Sequence, residues 1–276
     1  MLSSLSSGVS GLESFQEQMN VIGNNIANIN TTAFKAGIVN FADAFSNTLE
    51  GAGTTTPAVQ VGTGVKIASI SNNWASGGLS NTGVPSNLAV SGNGNGFFTV
   101  VDASATPPTT YVTQDGTFSV NANGNLVTSN GDIVQGYTDS TLSTIGNITI
   151  APSAGLQLAS YTIDSQGIIT VTNSDGSTAV AGQVLLQDFT DPQMLVSEGD
   201  NLYSNMAAAV PTTSTLVAPG TNGLGSIQSG ALESSNVDLS NEMATLITAQ
   251  QAFDANSKII TTSNEVLQTL VQMKQG

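Results

Sequence analysis

The chain has 276 residues, of which 8% are charged, and its 19 acidic and 4 basic side chains give a formal net charge of -15. Nucleic acid and anionic membranes are therefore disfavoured as partners, because binding phosphates requires clustered Lys and Arg and these four lysines lie far apart in the sequence. Histidine and cysteine are absent, which excludes Ser-His-Asp and Cys-His catalytic groups, disulfides and cysteine metal sites.

The first predicted element is a helix of about 28 residues within an assembly segment at 1–32. Gly8, Gly11 and Gly23 each cost this helix about 1 kcal/mol relative to alanine, so it should be marginal alone and become ordered among neighbouring molecules. Residues 1–15 have no basic n-region and no uninterrupted apolar run, so a classical secretory signal is not expected there, and no window is long enough to span a membrane. If the protein leaves the cytoplasm, we expect another export route. Apolar residues recur three and four positions apart, on one face, at Leu2, Leu5, Val9, Leu12, Phe15, Met19, Ile22, Ile26 and Ile29.

An asparagine cluster ends this helix. Asn24, Asn25 and Asn28 precede Phe34, and capping of the helix end, with the aromatic ring returning the chain to a core, is an adequate structural explanation. Residues 33–60 are then expected to be linker or extended chain.

The central residues, 61–210, are predicted to form a mainly antiparallel β domain. Short runs rich in Val, Ile, Thr, Phe and Tyr are separated here by Gly, Asn and Asp. Residues 161–171 and 183–189 continue this pattern, with Asp175-Gly176 as a turn. Between 111 and 137, three runs are preceded by dipeptides that favour hairpin turns, which predicts a meander; the dipeptides are Asp115-Gly116, Asn123-Gly124 and Asn130-Gly131.

Two aperiodic stretches rich in Gly, Thr, Pro and Ser, 51–57 and 211–225, are expected to be linkers on either side of the β domain. The second belongs to a return linker at 211–236. Their similar placement should bring the two ends of the chain together.

The last element, at 237–276, is predicted to be a long helix capped by Asp238. It carries a heptad seam at Leu239, Met243, Leu246, Gln250, Phe253, Ser257, Ile260, Asn264, Leu267, Val271 and Lys274. The simplest partner for each terminal helix is the other. The expected fold class is thus α+β, with long N- and C-terminal helices forming a coiled-coil pair and a central β domain.

Catalytic and metal sites are not expected. Asp188 and Asp191 flank Phe189 and could act as a pair of acids in glycoside hydrolysis, and Trp74 could be a sugar platform. Turn chemistry explains aspartates in a β domain more simply, a lone tryptophan is more often core or interface, and no calcium-loop pattern occurs. A secreted β-rich protein that binds or hydrolyses carbohydrate is the competing class.

Four segments in order resemble the bacterial flagellar rod and hook family. They are GNNIANINTTAFK at 23–35, the stretch 61–100, YVTQDGTFSVNANGNLVTSNGDIVQGY at 111–137, and the C-terminal 230–276. This chain departs from the family pattern at Ala33, where glycine is usual, at Gln114, where arginine is frequent, and in a slightly longer spacing at 93–95.

This resemblance implies a structural subunit without cofactors, exported through the flagellar type III apparatus. Its terminal helices would form the inner tube of the axis and its β domain the outer layer. The opening residues favour the hook, a helical tube that couples rod to filament, and the distal rod is the alternative. Expected partners are further copies and other axial proteins of the rod, hook cap and hook-filament junction.

The self-assembly interface is expected to combine the seam residues of both helices with the asparagine-rich end of the first. Its members are Leu5, Leu12, Met19, Asn24, Asn25, Ile26, Asn28, Phe34, Met243, Leu246, Phe253, Ile260, Leu267 and Val271.

Overall fold

A computed structural model describes residues 2–50, 58–92, 96–152, 156–213 and 215–275. Two long helices, α1 at Leu2–Ala27 and α2 at Leu239–Gln275, stand at the two ends of the described chain, with strands and one short 3-10 helix, Pro192–Met194, between them. The first strands are β1 Gly37–Asp43, β2 Ser46–Glu50, β3 Val59–Gly62, β4 Val65–Asn72, β5 Leu79–Asn81, β6 Leu88–Ser91, β7 Phe97–Asp102, β8 Thr109–Thr113, β9 Ser119–Val120 and β10 Leu126–Val127. The later strands are β11 Ile133–Tyr137, β12 Ile145–Asn147, β13 Leu158–Ile163, β14 Ile168–Asn173, β15 Thr178–Val184, β16 Leu186–Gln187, β17 Val196–Gly199, β18 Leu202–Ser204, β19 Ser226–Ser229 and β20 Ala231–Glu233.

The described residues group into two compact units. Those within 1–29, 36–73 and 237–276 form one, which we call the helical unit, and those within 30–35 and 74–236 form the other, the β unit. Both are built from segments distant in sequence.

Every pairing among the described strands is antiparallel. In the β unit twelve strands form one sheet, whose main path runs β13-β14-β15-β11-β7-β8-β18-β17. Buried apolar residues from this sheet, such as Phe98, Val134 and Ile169, form its core. The predicted α+β class, with a mainly antiparallel centre and a helix towards each end, is therefore confirmed.

The predicted meander is present. β10 pairs with β9 and with β11, and Gly124 and Gly131 in the connecting turns have positive φ angles of 82° and 96°. Gly176, between β14 and β15, likewise has a φ of 82°.

The prediction of a hairpin turn at Asp115-Gly116 is wrong. β8 pairs with β7 and β18, not with β9. Gly116 is not among the glycines with positive φ, and a Cβ there would lie 1.6 Å from the Leu88 carbonyl oxygen. Glycine at this position permits a close approach of two backbones rather than a tight turn.

The predicted linkers contain more regular structure than their composition indicated. The predicted linker 33–60 contains β1 and β2. β1 pairs with β4 and β2 with β3, which makes an antiparallel ribbon in the helical unit. Residues 51–57 and 93–95 lie outside the described residues. In the second, β19 pairs with β6 and β20 with β5.

Candidate self-assembly surface

The two terminal helices pack against each other and run antiparallel within the helical unit. Contacts join the start of α1 to the later part of α2 and the end of α1 to its beginning. A Cβ on Gly8 would lie 3.2 Å from Ile260 Cγ1, and one on Gly11 would lie 2.9 Å from Asn256 Nδ2. The absence of side chains at these glycines therefore lets the helices approach closely.

Half of the predicted α2 seam lies where the heptad pattern placed it. Leu246, Phe253, Ser257, Ile260 and Leu267 are half-buried. At three interleaving positions the contact lies one residue earlier than predicted. Glu242, Ala249 and Ser263 are buried or half-buried there, whereas the residues that follow them are exposed. A small side chain such as that of Ala249 leaves room for the partner helix.

Several apolar side chains of α2 outside this seam are exposed to solvent. Met243, a predicted seam residue, is 43% exposed, and Val271 is 56% exposed. Single exposed apolar residues are ordinary, but a series along one helix marks a surface for protein contact. These residues lie on both flanks of the buried seam, because 3.6 residues per turn place the earlier and the later ones on different faces. We call the whole set the α2 stripe: Leu239, Met243, Ile247, Ile259, Val266, Leu270, Val271 and Met273.

The ribbon of β1 to β4 also presents apolar side chains to solvent. Phe45 is 88% exposed, and Ile38, Val59 and Val61 are exposed as well. Phe41 is partly covered, with its ring centroid 5.7 Å from that of Phe15 on α1. The helical unit therefore has exposed apolar surface on α2 and on the ribbon.

The asparagine cluster divides into one buried and two outer residues. Asn25 is 2% exposed, and its side chain donates to Gly37 O at 2.9 Å and to Glu242 Oε1 at 3.3 Å while accepting from Gly37 N at 2.9 Å. Asn24 is exposed and accepts a hydrogen bond from Asn28, which is half-buried. Asn25 thus links α1, β1 and α2.

Glu242 is the titratable member of this link. Burial raises the pKa of its carboxyl, the hydrogen bond from Asn25 opposes that effect, and the nearby charge of Asp238 adds to it. Asp238 also caps α2 as predicted, since its Oδ1 accepts from Ser240 N at 2.9 Å.

In the β unit, the residues that follow the asparagine cluster form a buried ion pair that the sequence did not indicate. Lys35 Nζ lies 2.8 Å from Glu233 Oε1, with the two side chains 1% and 4% exposed. Lys35 also donates to Ala75 O at 3.2 Å, and Glu233 Oε1 accepts from Gly77 N at 2.7 Å. Three distant segments of the chain are thus joined at one point.

The predicted interface residues fall into three groups by exposure. Asn25 is buried, and Asn24, Met243 and Val271 are exposed. The others are half-buried: Leu5, Leu12, Met19, Ile26, Asn28, Phe34, Leu246, Phe253, Ile260 and Leu267. The sequence did not single out the exposed ribbon, although alternating apolar residues at 59, 61, 65 and 67 were a usable signal.

The two aspartates weighed for catalysis have structural partners. Asp188 accepts hydrogen bonds from Phe189 N and Thr212 Oγ1, and Asp191 caps the 3-10 helix through Gln193 N. In the described part of the chain, no three acidic side chains converge in a way that could hold a metal ion. None of its helices combines the length and apolar character needed to cross a membrane.

Comparison with known families gives three matches in chain order. "Flagella basal body rod protein" matches residues 5–35, "Flagellar hook protein FlgE/F/G D1 domain" matches 92–171, and "Flagellar basal body rod FlgEFG protein C-terminal" matches 228–273. These segments overlap α1, strands β7 to β14 of the β unit, and α2.

Whole-length relatives carry related names. "Flagellar basal-body rod protein FlgG" of Bacillus subtilis is 38% identical over 100% of both chains, and that of Borreliella burgdorferi is 34% identical over 97% of both. "Flagellar hook protein FlgE" of Escherichia coli is 26% identical over 98% of this chain and 99% of its own.

Proposed function

Because this chain belongs to the flagellar basal-body rod and hook protein family, we propose that it is a structural subunit of the distal rod rather than of the hook. The rod relative aligns from end to end at 38% identity in 281 positions, whereas the hook relative needs 414 positions at 26%. An alignment that long for a chain of 276 residues leaves extensive segments of the hook protein without a counterpart here.

Assembly proceeds through the helical unit. The antiparallel α1 and α2 form a coiled-coil pair, and the α2 stripe and the ribbon pack against neighbouring copies. A head-to-tail contact that does not close on itself propagates as a helical polymer. The α2 stripe is the observation that carries this proposal, because one copy leaves it uncovered.

Residues 1–32 and 237–276 act as the assembly helices. The predicted linker 33–60 and the start of the predicted β domain 61–210 supply the ribbon that joins them in assembly, and the predicted return linker 211–236 completes the β unit with β19 and β20. Export through the flagellar type III apparatus and contact with other axial proteins follow from this role. The subunit has no catalytic task, because its candidate acids Asp188 and Asp191 serve turns and caps.

Immuno-electron microscopy of isolated basal bodies tests the assignment. Antibody against the β unit should label the distal rod below the hook. Label confined to the hook would contradict the rod assignment while leaving the axial role intact, and absence of label along the whole axis would overturn both.

A further inference from the structure

A cavity of about 460 Å³ lies in the β unit beside Trp74. Pockets of roughly 300 to 1,000 Å³ are the usual size for small ligands or single inserted groups. Ring centroids of Trp74 and Phe97 lie 5.3 Å apart, and those of Phe97 and Phe189 lie 5.4 Å apart, so the aromatic side of the cavity is one packed cluster. Polar groups at the cavity come from Gln114, Asp188, Thr190 and Thr212.

Asp188 is held rigidly at this cavity. Its Oδ1 accepts from Phe189 N at 2.8 Å and its Oδ2 from Thr212 Oγ1 at 3.2 Å, while its carbonyl accepts from Thr212 N at 2.9 Å. Each carboxylate oxygen can accept more than one hydrogen bond, so both retain capacity for a ligand. A fixed acceptor binds without first losing side-chain freedom.

The charge of Asp188 has no counter-charge nearby in this unit. Lys35 is the single basic side chain among the described residues of the β unit, and it is buried against Glu233. An anionic ligand would therefore meet repulsion. A neutral sugar could donate hydroxyl hydrogen bonds to the carboxylate but would bring no positive charge to balance it. A cation gains both from the carboxylate and from the half-buried ring of Trp74, whereas Phe97 and Phe189 are buried behind it.

We propose that this cavity binds a basic side chain, the guanidinium of an arginine or the ammonium of a lysine, presented by another polypeptide. The aliphatic stem of such a side chain packs on Trp74 while its charged end donates to Asp188. This site is separate from the α2 stripe and does not depend on the rod assignment.

Trp74 is the only tryptophan of the chain, so its fluorescence reports on the cavity directly. N-acetyl-arginine amide and N-acetyl-lysine amide, titrated into the monomeric protein, should change the emission in a saturable way, whereas N-acetyl-glutamine amide should not. Asp188→Asn should weaken the apparent affinity about tenfold or more, because it removes the charge from the hydrogen bond. Asp200→Asn, the same change at an exposed turn of this unit, should leave the affinity unaltered.

Three results would overturn the proposal. One is no saturable change with either cation, and another is undiminished affinity in Asp188→Asn while circular dichroism shows a folded protein. The third is a response to N-acetylglucosamine oligomers without a response to the cations, which would make the cavity a sugar site.

The same assay distinguishes two sources of the basic side chain, a second copy of this chain and a different protein. Lys66 and Lys258 are exposed on the helical unit and could come from a second copy. In that case Trp74 emission changes with protein concentration, and Lys66→Ala or Lys258→Ala removes the change. Emission independent of concentration, together with binding of the arginine amide, assigns the side chain to a different protein.

Discussion

Lys35 and Glu233 form a buried ion pair in a chain that has few charged residues. A buried charge is tolerated when its hydrogen bonds are complete, and removing one partner leaves the other uncompensated. Here both ends have further partners in the backbone, at Ala75 and Gly77. The pair therefore ties the segment after the asparagine cluster to the segment before α2.

We predict that Lys35→Met lowers the free energy of unfolding of the β unit by about 3 to 5 kcal/mol. Glu233→Gln added to Lys35→Met should restore part of this loss, because the amide oxygen still accepts from Gly77 N without a buried charge. Thermal unfolding followed by Trp74 fluorescence measures both. Lys66→Met, at an exposed lysine, is the control and should have little effect; equal losses at both lysines would contradict the argument.

Glu242 provides a pH-dependent test in the helical unit. Burial raises the pKa of its carboxyl in the folded state, so folding favours the protonated form. The free energy of unfolding should gain from this group as pH falls through the raised pKa, and the gain should be complete below the pKa of the unfolded chain. Glu242→Gln should stabilise the helices at pH 7 and remove this contribution.

Helix melting by circular dichroism between pH 7 and pH 4 measures the difference between wild type and Glu242→Gln. Other carboxyls, such as those of Asp102 and Asp175, have lowered pKa values, so their protonation in acid reduces the free energy of unfolding. Only the difference between wild type and Glu242→Gln is therefore informative. Glu265→Gln, on the exposed face of α2, is the matched control. Parallel pH profiles for wild type and Glu242→Gln would refute the role of burial.

At the scale of elements, periodicity predicted the helices well because each has a long, one-sided apolar pattern. It could not place the interleaving positions of the α2 seam, such as buried Ala249 beside exposed Gln250, because their burial depends on where the partner helix lies. The ribbon was also missed, because its partner strands are separated by residues of linker composition. Gly116 shows the same limit: an Asp-Gly dipeptide does not reveal whether a turn or a neighbouring backbone requires the glycine.

The glycines of α1 allow a matched experiment on the helix contact. A side chain at Gly11 meets Asn256 at 2.9 Å, whereas one at Gly23 meets nothing within 4 Å. Gly23→Leu should therefore stabilise the helices by up to about 1 kcal/mol through propensity alone. Gly11→Leu should destabilise them by about 1 to 3 kcal/mol, because overpacking outweighs that gain.

The measurement for this pair is helix unfolding in denaturant, followed at 222 nm. The two variants add the same side chain to the same helix, so the sign of their difference isolates the contact with α2. Stabilisation of similar size in both variants would show that α1 and α2 do not approach closely in solution.

For the whole molecule, the net charge and the exposed apolar surface together set the conditions for assembly. Copies with a net charge of -15 repel one another, whereas the α2 stripe favours contact. Salt screens the repulsion over about 8 to 10 Å at 0.10 to 0.15 M and leaves apolar burial intact. We therefore expect polymer to form at lower protein concentration as sodium chloride is raised.

The α2 stripe must be the attractive part for this argument to hold. Leu270→Asp should abolish polymer at every salt concentration, because it places a charge within the stripe, while Gln268→Asp adds the same charge at an exposed polar position of the same turn and should only shift the concentration required. Sedimentation and negative-stain electron microscopy distinguish these outcomes. If salt instead dissolved wild-type polymer, ion pairs rather than apolar surfaces would be holding the copies together, and the α2 stripe would lose its assigned role.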